Sequence, residues 1–337
     1  MFTPFISRAL PRRHVVAAVA ALITGAAAFA PGAARAQDNF PSKPVRILVG
    51  SQAGGGVDAF SRIIAQKLQE LWGQPVTVEN RTGASGSIAA DAVAKGATDG
   101  YTVVMATPNS HTTGPHVLKF PYDALRDFAP IIHVMDVPTV LVVSQSLAPN
   151  TMKELVDHLK ANDGKLSYYS SGIGSIQHLA GEQFKIKAGV NVVHIPYRGS
   201  APAIADVIGG TVTLGFDPTS ATLSFIQGGK LKPIAVAAPT RAKSLPNVPT
   251  TAEAGYPGVE MATWYGLLAA PGTPRALIDK WNRDVQRVIA MPDVAQKIAA
   301  VGAEPRGGSP EAFAAFLRDQ HGKMGALVKE ANVRADN

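Results

Sequence analysis

Two glycine-rich segments hold residue types that can grip an anion: Gly50–Val57 (GSQAGGGV) and Ser170–Ile176 (SSGIGSI). Each follows an apolar, strand-like run and opens a helix-like one. The first turn of a helix leaves its N–H groups unpaired and carries a partial positive charge. Glycine lets an anion approach that backbone closely. In the first segment Ser51, Gln52, Ala53, Gly54, Gly55, Gly56 and Val57 are candidate ligand-binding residues, followed by Asp58. Asp58 has two readings, ligand acceptor or first-turn acid favoured by the helix dipole, and the second is preferred. In the second segment Ser170, Ser171 and Ser175 add hydroxyls to Gly172 and Gly174, and His178 follows one turn later. Ser175 and His178 could form a nucleophile–base pair, but a capping serine and a packed histidine are preferred. Thr107, Asn109 and Asp217 stand just after apolar strand-like runs, at the edge where open α/β sheets bind ligands.

Other chemistries fit poorly. Neither glycine loop matches the dinucleotide fingerprint or a phosphate loop with Gly-Lys-Ser/Thr. The G-x-S-x-G elbow is missing, since Gly83-Ala-Ser85-Gly is out of pattern. His111 and His116 are five residues apart, off a shared helix face, and no H-E-x-x-H or aspartate-rich calcium loop occurs. No metal and no cofactor are therefore expected. The chain has no cysteine, which excludes thiol catalysis, disulfides and thiolate metal sites.

The elements that must position these loops alternate. Strand-like runs at 45–49, 76–78 and 102–106 frame helix-like runs at 58–71 and 88–94. In the first helix Phe60, Ile63, Ile64 and Leu68 recur at helical spacing. The βαβα rhythm predicts a parallel sheet with helices on both faces. Two strands are expected at 131–135 and 140–143, split by Asp136 and Pro138, as a first crossing between lobes. The rhythm then restarts. A capping box at Thr151–Glu154 opens a helix, and strands at 166–169, 192–195, 212–216 and 231–237 alternate with helices at 175–187, 201–208 and 219–227. A Pro- and Gly-rich stretch, 238–258, leads back to a return strand at 263–269. Thr273-Pro274 and Ser309-Pro310 read as capped starts of terminal helices.

Residues 1–36 have the layout of a secretory signal peptide: basic Arg8, Arg12 and Arg13, an apolar run at 15–30, and Ala34-Arg35-Ala36 before Gln37. Arg12-Arg13 leaves both the general secretory and the twin-arginine routes open. The formal charge of +7 falls to +3 once the four leader arginines and no acid are removed, so no nucleic-acid partner is inferred. The remaining chain suits two lobes rather than one core. A periplasmic, monomeric product is expected.

The order and spacing of several motifs resemble the Bug-type (TctC-like) solute receptors of tripartite tricarboxylate transporters. They are Gly54-Gly-Gly-x-Asp58, Glu79-Asn80-Arg81-x-Gly83-Ala84, Asp99-Gly100-Tyr101, and Ser171-Gly-x-Gly-Ser175 with His178-Leu179. Pro196-Tyr197-Arg198-Gly199, Phe216-Asp217, Gly228-Gly229-Lys230 and Trp264-Tyr265-Gly266 complete the set. The resemblance implies a type II periplasmic-binding fold, with two α/β lobes, a two-strand hinge and a cleft between them. It implies lobe one at 37–138 plus 260–337 and lobe two at 139–259. It also implies a non-enzymatic receptor that holds a carboxylate on backbone amides of both loops, adds Arg198 to the ligand-binding set, and delivers the ligand to a membrane permease of two subunits. The family's aromatic and proline before G-G-G are replaced by Gly50-Ser51-Gln52-Ala53, and its hydroxyl residue before the aspartate by Val57. A roomier or differently walled pocket, with Gln52 reaching the ligand, follows. A receptor for a sensor kinase shares all these features. A periplasmic hydrolase would rest on Ser175 and His178 alone.

Overall fold

The structure, a computed structural model, describes residues 39–197 and 199–335. The expected leader and Arg198 lie outside the described residues. The chain divides into an N-terminal unit, Met1–Ser42, and a second unit, Lys43–Asn337. In the first unit the Phe40–Pro41 peptide is cis. Among the described residues, the regular elements fall in the second.

The first run of elements is β1 (Val45–Val49), α1 (Gly56–Trp72), β2 (Val76–Asn80), a 3-10 turn (Ala84–Gly86), α2 (Ser87–Ala94) and β3 (Thr102–Ala106). Two short helices follow, α3 (Pro108–His111) and α4 (Gly114–Val117), then β4 (Ala129–Ser144). The second run is α5 (Met152–Ala161), β5 (Ser167–Ser170), α6 (Ile176–Ala188), β6 (Val193–Pro196), α7 (Ser200–Ile208), β7 (Leu214–Pro218), α8 (Thr219–Gln227) and β8 (Leu231–Val236). The chain ends with β9 (Ala262–Ala269), α9 (Arg275–Ile289), α10 (Pro292–Ala300), β10 (Glu304–Pro305) and α11 (Pro310–Glu330).

Strand order is β2-β1-β3-β9-β4-β7-β5-β6, with β8 and β10 also on β4. β1 pairs parallel with β2 and β3, and β5 pairs parallel with β6 and β7. Parallel pairing puts the ends of β1, β3, β5 and β7, and the loops after them, along common edges. β1 is buried at four of its five positions because helices cover the sheet. α1 turns Phe60, Ile64 and Leu68 inward, at the helical repeat, and stops at Gly73, which takes φ 65.

β4 corrects the sequence reading. It is one strand of 16 residues, not two strands broken by Asp136 and Pro138. Its first part, to Pro138, pairs with β9, and from Thr139 it pairs with β7 and then β8. Pro138 therefore sits where the partner strand changes, where a missing N–H disturbs the ladder least. Asp136 accepts from His133 Nε2 at 2.7 Å and from Arg306, so its carboxylate is satisfied inside the strand.

The capping box on α5 is present, with Glu154 N–H donating to Thr151 Oγ1 at 3.2 Å. Ser309 caps α11 by accepting from Ala312 N–H at 3.1 Å. Thr273 is not a cap: its hydroxyl donates to the Ala270 carbonyl at 2.8 Å, and helix begins at Arg275. α10 was not foreseen. Pro292 starts a new helix directly after α9 because proline suits a first-turn position. Among the described residues no helix is long and apolar enough to cross a membrane.

Candidate ligand-binding site

β1 delivers the chain to Gly50 at the sheet edge. A Cβ at Gly50 would lie 2.5 Å from Gly86 Cα, so only glycine lets these two loops press backbone to backbone. Beyond it, residues 51–55 swing out before α1 begins. Asp58, 2% exposed, anchors this excursion. It accepts from Gly54 N–H at 2.9 Å, from Arg62 Nε at 3.0 Å and from Asn80 Nδ2 at 2.9 Å, and pairs with Arg62 Nη2 at 2.9 Å. Asn80 also donates to the Ser51 carbonyl at 3.0 Å. The Arg62 hydrogen bond leads in holding the Asp58 carboxyl down at about 2, against the cost of burial. Asp58 thus shapes the loop rather than facing a ligand. The Gly54 N–H is spent on it, and Gly55 N–H points back to the Gln52 carbonyl at 3.3 Å. The first-turn N–H groups of Gly56 and Val57 remain for a ligand, since the helix offers them no acceptor.

Because the folded carboxyl titrates below its unfolded value, Asp58 contributes stability above the unfolded pKa, and loses it as pH falls toward about 2. Asp58→Asn should therefore cost about 2 kcal/mol at neutral pH, less in high salt because Arg62 is half exposed. The gap to the wild type should close on acidification below about pH 4. Urea titrations at several pH values check this, and a pH-independent gap would contradict the anchoring role.

The second loop is held just as tightly. Ser170 Oγ accepts from Gly172 N–H at 3.1 Å and lies 2.7 Å from His194 Nε2. Ser175 Oγ caps α6 by accepting from His178 N–H at 3.3 Å, and His178 Nδ1 accepts from Gly174 N–H at 3.1 Å. The His178 ring stacks on His194 with centroids 3.9 Å apart. Ser175 and His178 are thus occupied in building the loop. The serine hydroxyl meets the histidine backbone, not its ring, which is not the geometry of a nucleophile and its base.

One cavity of about 680 Å³ lies between the loops. Of the residues singled out in the sequence, Ser51, Gln52, Ala53, Gly55, Gly56, Val57, Thr107, Asn109, Ser171 and Asp217 line it. Asp58, Ser170, Gly172, Gly174, Ser175 and His178 support those walls, and Gly54, itself exposed, is tied to Asp58 outside the lining. Arg198 lies outside the described residues.

The lining also includes residues the sequence reading passed over. The start of α7 contributes Gly199, Ser200, Ala201 and Pro202, and the start of α8 contributes Ser220 and Ala221. Gly83, Ser85 and Gly86 lead into α2, and Thr263 and Tyr265 come from β9. A signal existed for α7: Gly199-Ser200 follows a strand, as the two glycine loops do. The starts of α1, α2, α3, α6, α7 and α8 all approach this one space. Their partial positive ends favour an anion there. Ser51 Oγ and Thr263 Oγ1 are buried behind the cavity surface with no hydrogen-bond partner among the described residues.

Asp217 is the only charged side chain among the described lining residues. It is fully buried and accepts from Tyr169 Oη at 2.8 Å, Ser200 Oγ at 2.9 Å and Gln177 Nε2 at 3.2 Å. Burial outweighs these donors and pushes its carboxyl up to about 6. Among the described residues no group of three His, Cys, Asp or Glu comes together as a metal site.

This fold, with its cavity between two groups of strand ends, is that of a type II periplasmic binding protein. Residues 60–333 match the Tripartite tricarboxylate transporter family receptor, and the chain belongs to that family. It is 34% identical to Protein BugT of Bordetella pertussis over 299 residues, covering 88% of this chain and 92% of BugT. It resembles the solved structure of periplasmic binding protein BugD, with 36% identity, TM-score 0.78, and coverage of 88% of this chain and all of that one. It is also similar to R. palustris Rpa4515 with adipate, with 35% identity, TM-score 0.82 and the same coverage.

Proposed function

We propose that this protein is an exported periplasmic receptor that captures a small organic carboxylate. It would close residues 37–138 plus 260–337 on residues 139–259 around the ligand and present it to the permease subunits of a tripartite tricarboxylate transporter. The observation that carries this reading is the approach of six helix starts to one cavity whose only charged described side chain is already saturated with donors. Such a cavity offers N–H groups and dipole to an anion, with no cationic side chain among the described lining residues. The carboxylate rests on Gly56 and Val57 N–H. Ser171, Asn109 and Thr107 complete the wall. A relative of the same fold and 35% identity holds adipate, a dicarboxylate, which agrees with this ligand class. Binding needs the closed state, which the ligand favours by touching both sides.

A thermal-shift screen of the chain from Gln37 against mono-, di- and tricarboxylates, aromatic acids and acidic amino acids tests the reading. A ligand that binds the native state raises the melting temperature with concentration. Shifts confined to carboxylates are expected. Shifts with sugars or amides and none with carboxylates would sink it. Capture of the permease subunits by the ligand-loaded protein tests the delivery step.

A further inference from the structure

The start of α7 reaches the cavity with two open amides. A helix offers its first-turn N–H groups no acceptor, and Pro202 has no N–H, which leaves those of Ser200 and Ala201. Nothing local aims them. Gly199, the residue before the helix, takes φ 101 and makes no side-chain cap, and a Cβ on it would meet nothing within 4 Å. A glycine in open space can turn either way. On the cavity side one peg holds the helix start: Ser200 Oγ donates to Asp217 Oδ1 at 2.9 Å.

A second peg lies outside the lining. Tyr197 Oη donates to Asp206 Oδ2 at 2.5 Å, which closes the chain across Gly199 onto the body of α7. Neither Tyr197 nor Asp206 lines the cavity. Burial, and then the bond to Asp206, push the Tyr197 hydroxyl up to about 12, so it keeps its proton and donates. The rest of Tyr197 is anchored independently. Its N–H donates to the Ser170 carbonyl at 2.9 Å, at the end of β5, and its ring meets the Tyr169 ring edge-on with centroids 6.4 Å apart. Tyr197 is thus fixed to the strand that carries the second glycine loop, and its hydroxyl fixes α7 to that strand in turn.

We propose that Tyr197 and Asp206 are positioning residues for ligand binding, and that their bond aims the Ser200 and Ala201 amides at the cavity. The inference rests on the carboxylate-receptor reading and adds to it two residues outside the cavity lining. The physical reason is preorganisation. An N–H already aimed needs no ordering when the anion arrives, whereas a helix start that swings at Gly199 must be ordered by the ligand itself. The Tyr197 ring packs against the core that holds Ala203, Ile204 and Val207 of α7. Removing the hydroxyl alone leaves that packing in place, so the effect falls on aim rather than on the fold.

Calorimetric titration of the chain from Gln37 with succinate, adipate and citrate, and with any further acid that the carboxylate screen turns up, tests the proposal. Thermal unfolding of the unliganded protein runs beside it. For the acids that the wild type binds, Tyr197→Phe should weaken binding by about three- to tenfold. The melting temperature of the unliganded variant should stay within about 2 °C of the wild type. Asp206→Ala should weaken binding equally, and the double variant no further, because both changes remove the same bond. Asp206→Asn should bind within about twofold of the wild type, because its amide oxygen still accepts from the tyrosine. A pair that only supported the fold would lower the melting temperature and leave affinity alone. Should Asp206→Ala fold poorly, Tyr197→Phe and Asp206→Asn decide the matter. Wild-type affinity in Tyr197→Phe, or a loss in Asp206→Asn as large as in Tyr197→Phe, overturns the inference while leaving the receptor reading intact. Binding of no carboxylate by the wild type removes both.

Discussion

Replacing Gly56 by proline should weaken carboxylate binding by about 10- to 100-fold while barely changing the stability of the free protein. Gly56 is the first residue of α1, where a proline ring is tolerated because the helix makes no use of that N–H. The residue before it, Gly55, has φ −74 and ψ 165, the extended conformation a following proline requires. A Cβ at Gly56 meets the Tyr265 hydroxyl at 3.4 Å and Ser220 Oγ and Cβ at 3.6 and 3.9 Å, which are ordinary contacts. The substitution thus removes one donor and little else. A hydrogen bond to a charged group is worth about 1.5–3 kcal/mol, which sets the size of the loss. Gly56→Ala keeps the N–H and controls for the added carbon. Calorimetric titration of both variants with the best ligand from the screen decides the matter. If proline and alanine bind alike, the α1 amide is not an anchor.

The largest effect on stability is expected at Gly215, in β7. It pairs with Tyr169 in β5, and a Cβ there would sit inside the Tyr169 ring. Tyr169 is fully buried, and its hydroxyl is fixed on Asp217, so the ring has no free space to enter. Gly215→Ala should therefore cost about 3 kcal/mol, at the upper end for overpacking. The melting temperature should fall by roughly 5–10 °C. Because the displaced ring carries a donor to Asp217, ligand affinity should fall as well. Thermal unfolding followed by circular dichroism, with and without ligand, measures both. A melting temperature within about 2 °C of the wild type would mean that the sheet yields here without moving Tyr169.

Asp58 and Asp217 show how far the sequence could be read. Asp58 lies four residues from Arg62, within one helix, so its role as a first-turn acid is a local matter and the preferred reading agrees with the geometry. Asp217 meets Gln177 and Ser200 from 40 and 17 residues away. That meeting depends on the pairing of β5 with β7 and on where α6 and α7 begin, and no local pattern encodes it. β4 is a similar case. Asp136 and Pro138 are ordinary strand breakers by type, yet the strand runs on, because Arg306 arrives from far along the chain and the partner strand changes at the proline.

By itself the sequence determined the alternation of strands and helices, the two glycine loops and the family, because periodicity, capping and glycine geometry act over a few neighbouring residues. Tertiary structure alone decided which of the loop amides stay open, since Asp58 and the His178 ring use up those of Gly54 and Gly174. It also brought the starts of α7 and α8 to the same cavity as the two loops and set the direction of the hydrogen bonds around Asp217. Those are properties of distant groups brought within hydrogen-bond range. They exist only once the sheet has paired its strands out of sequence order.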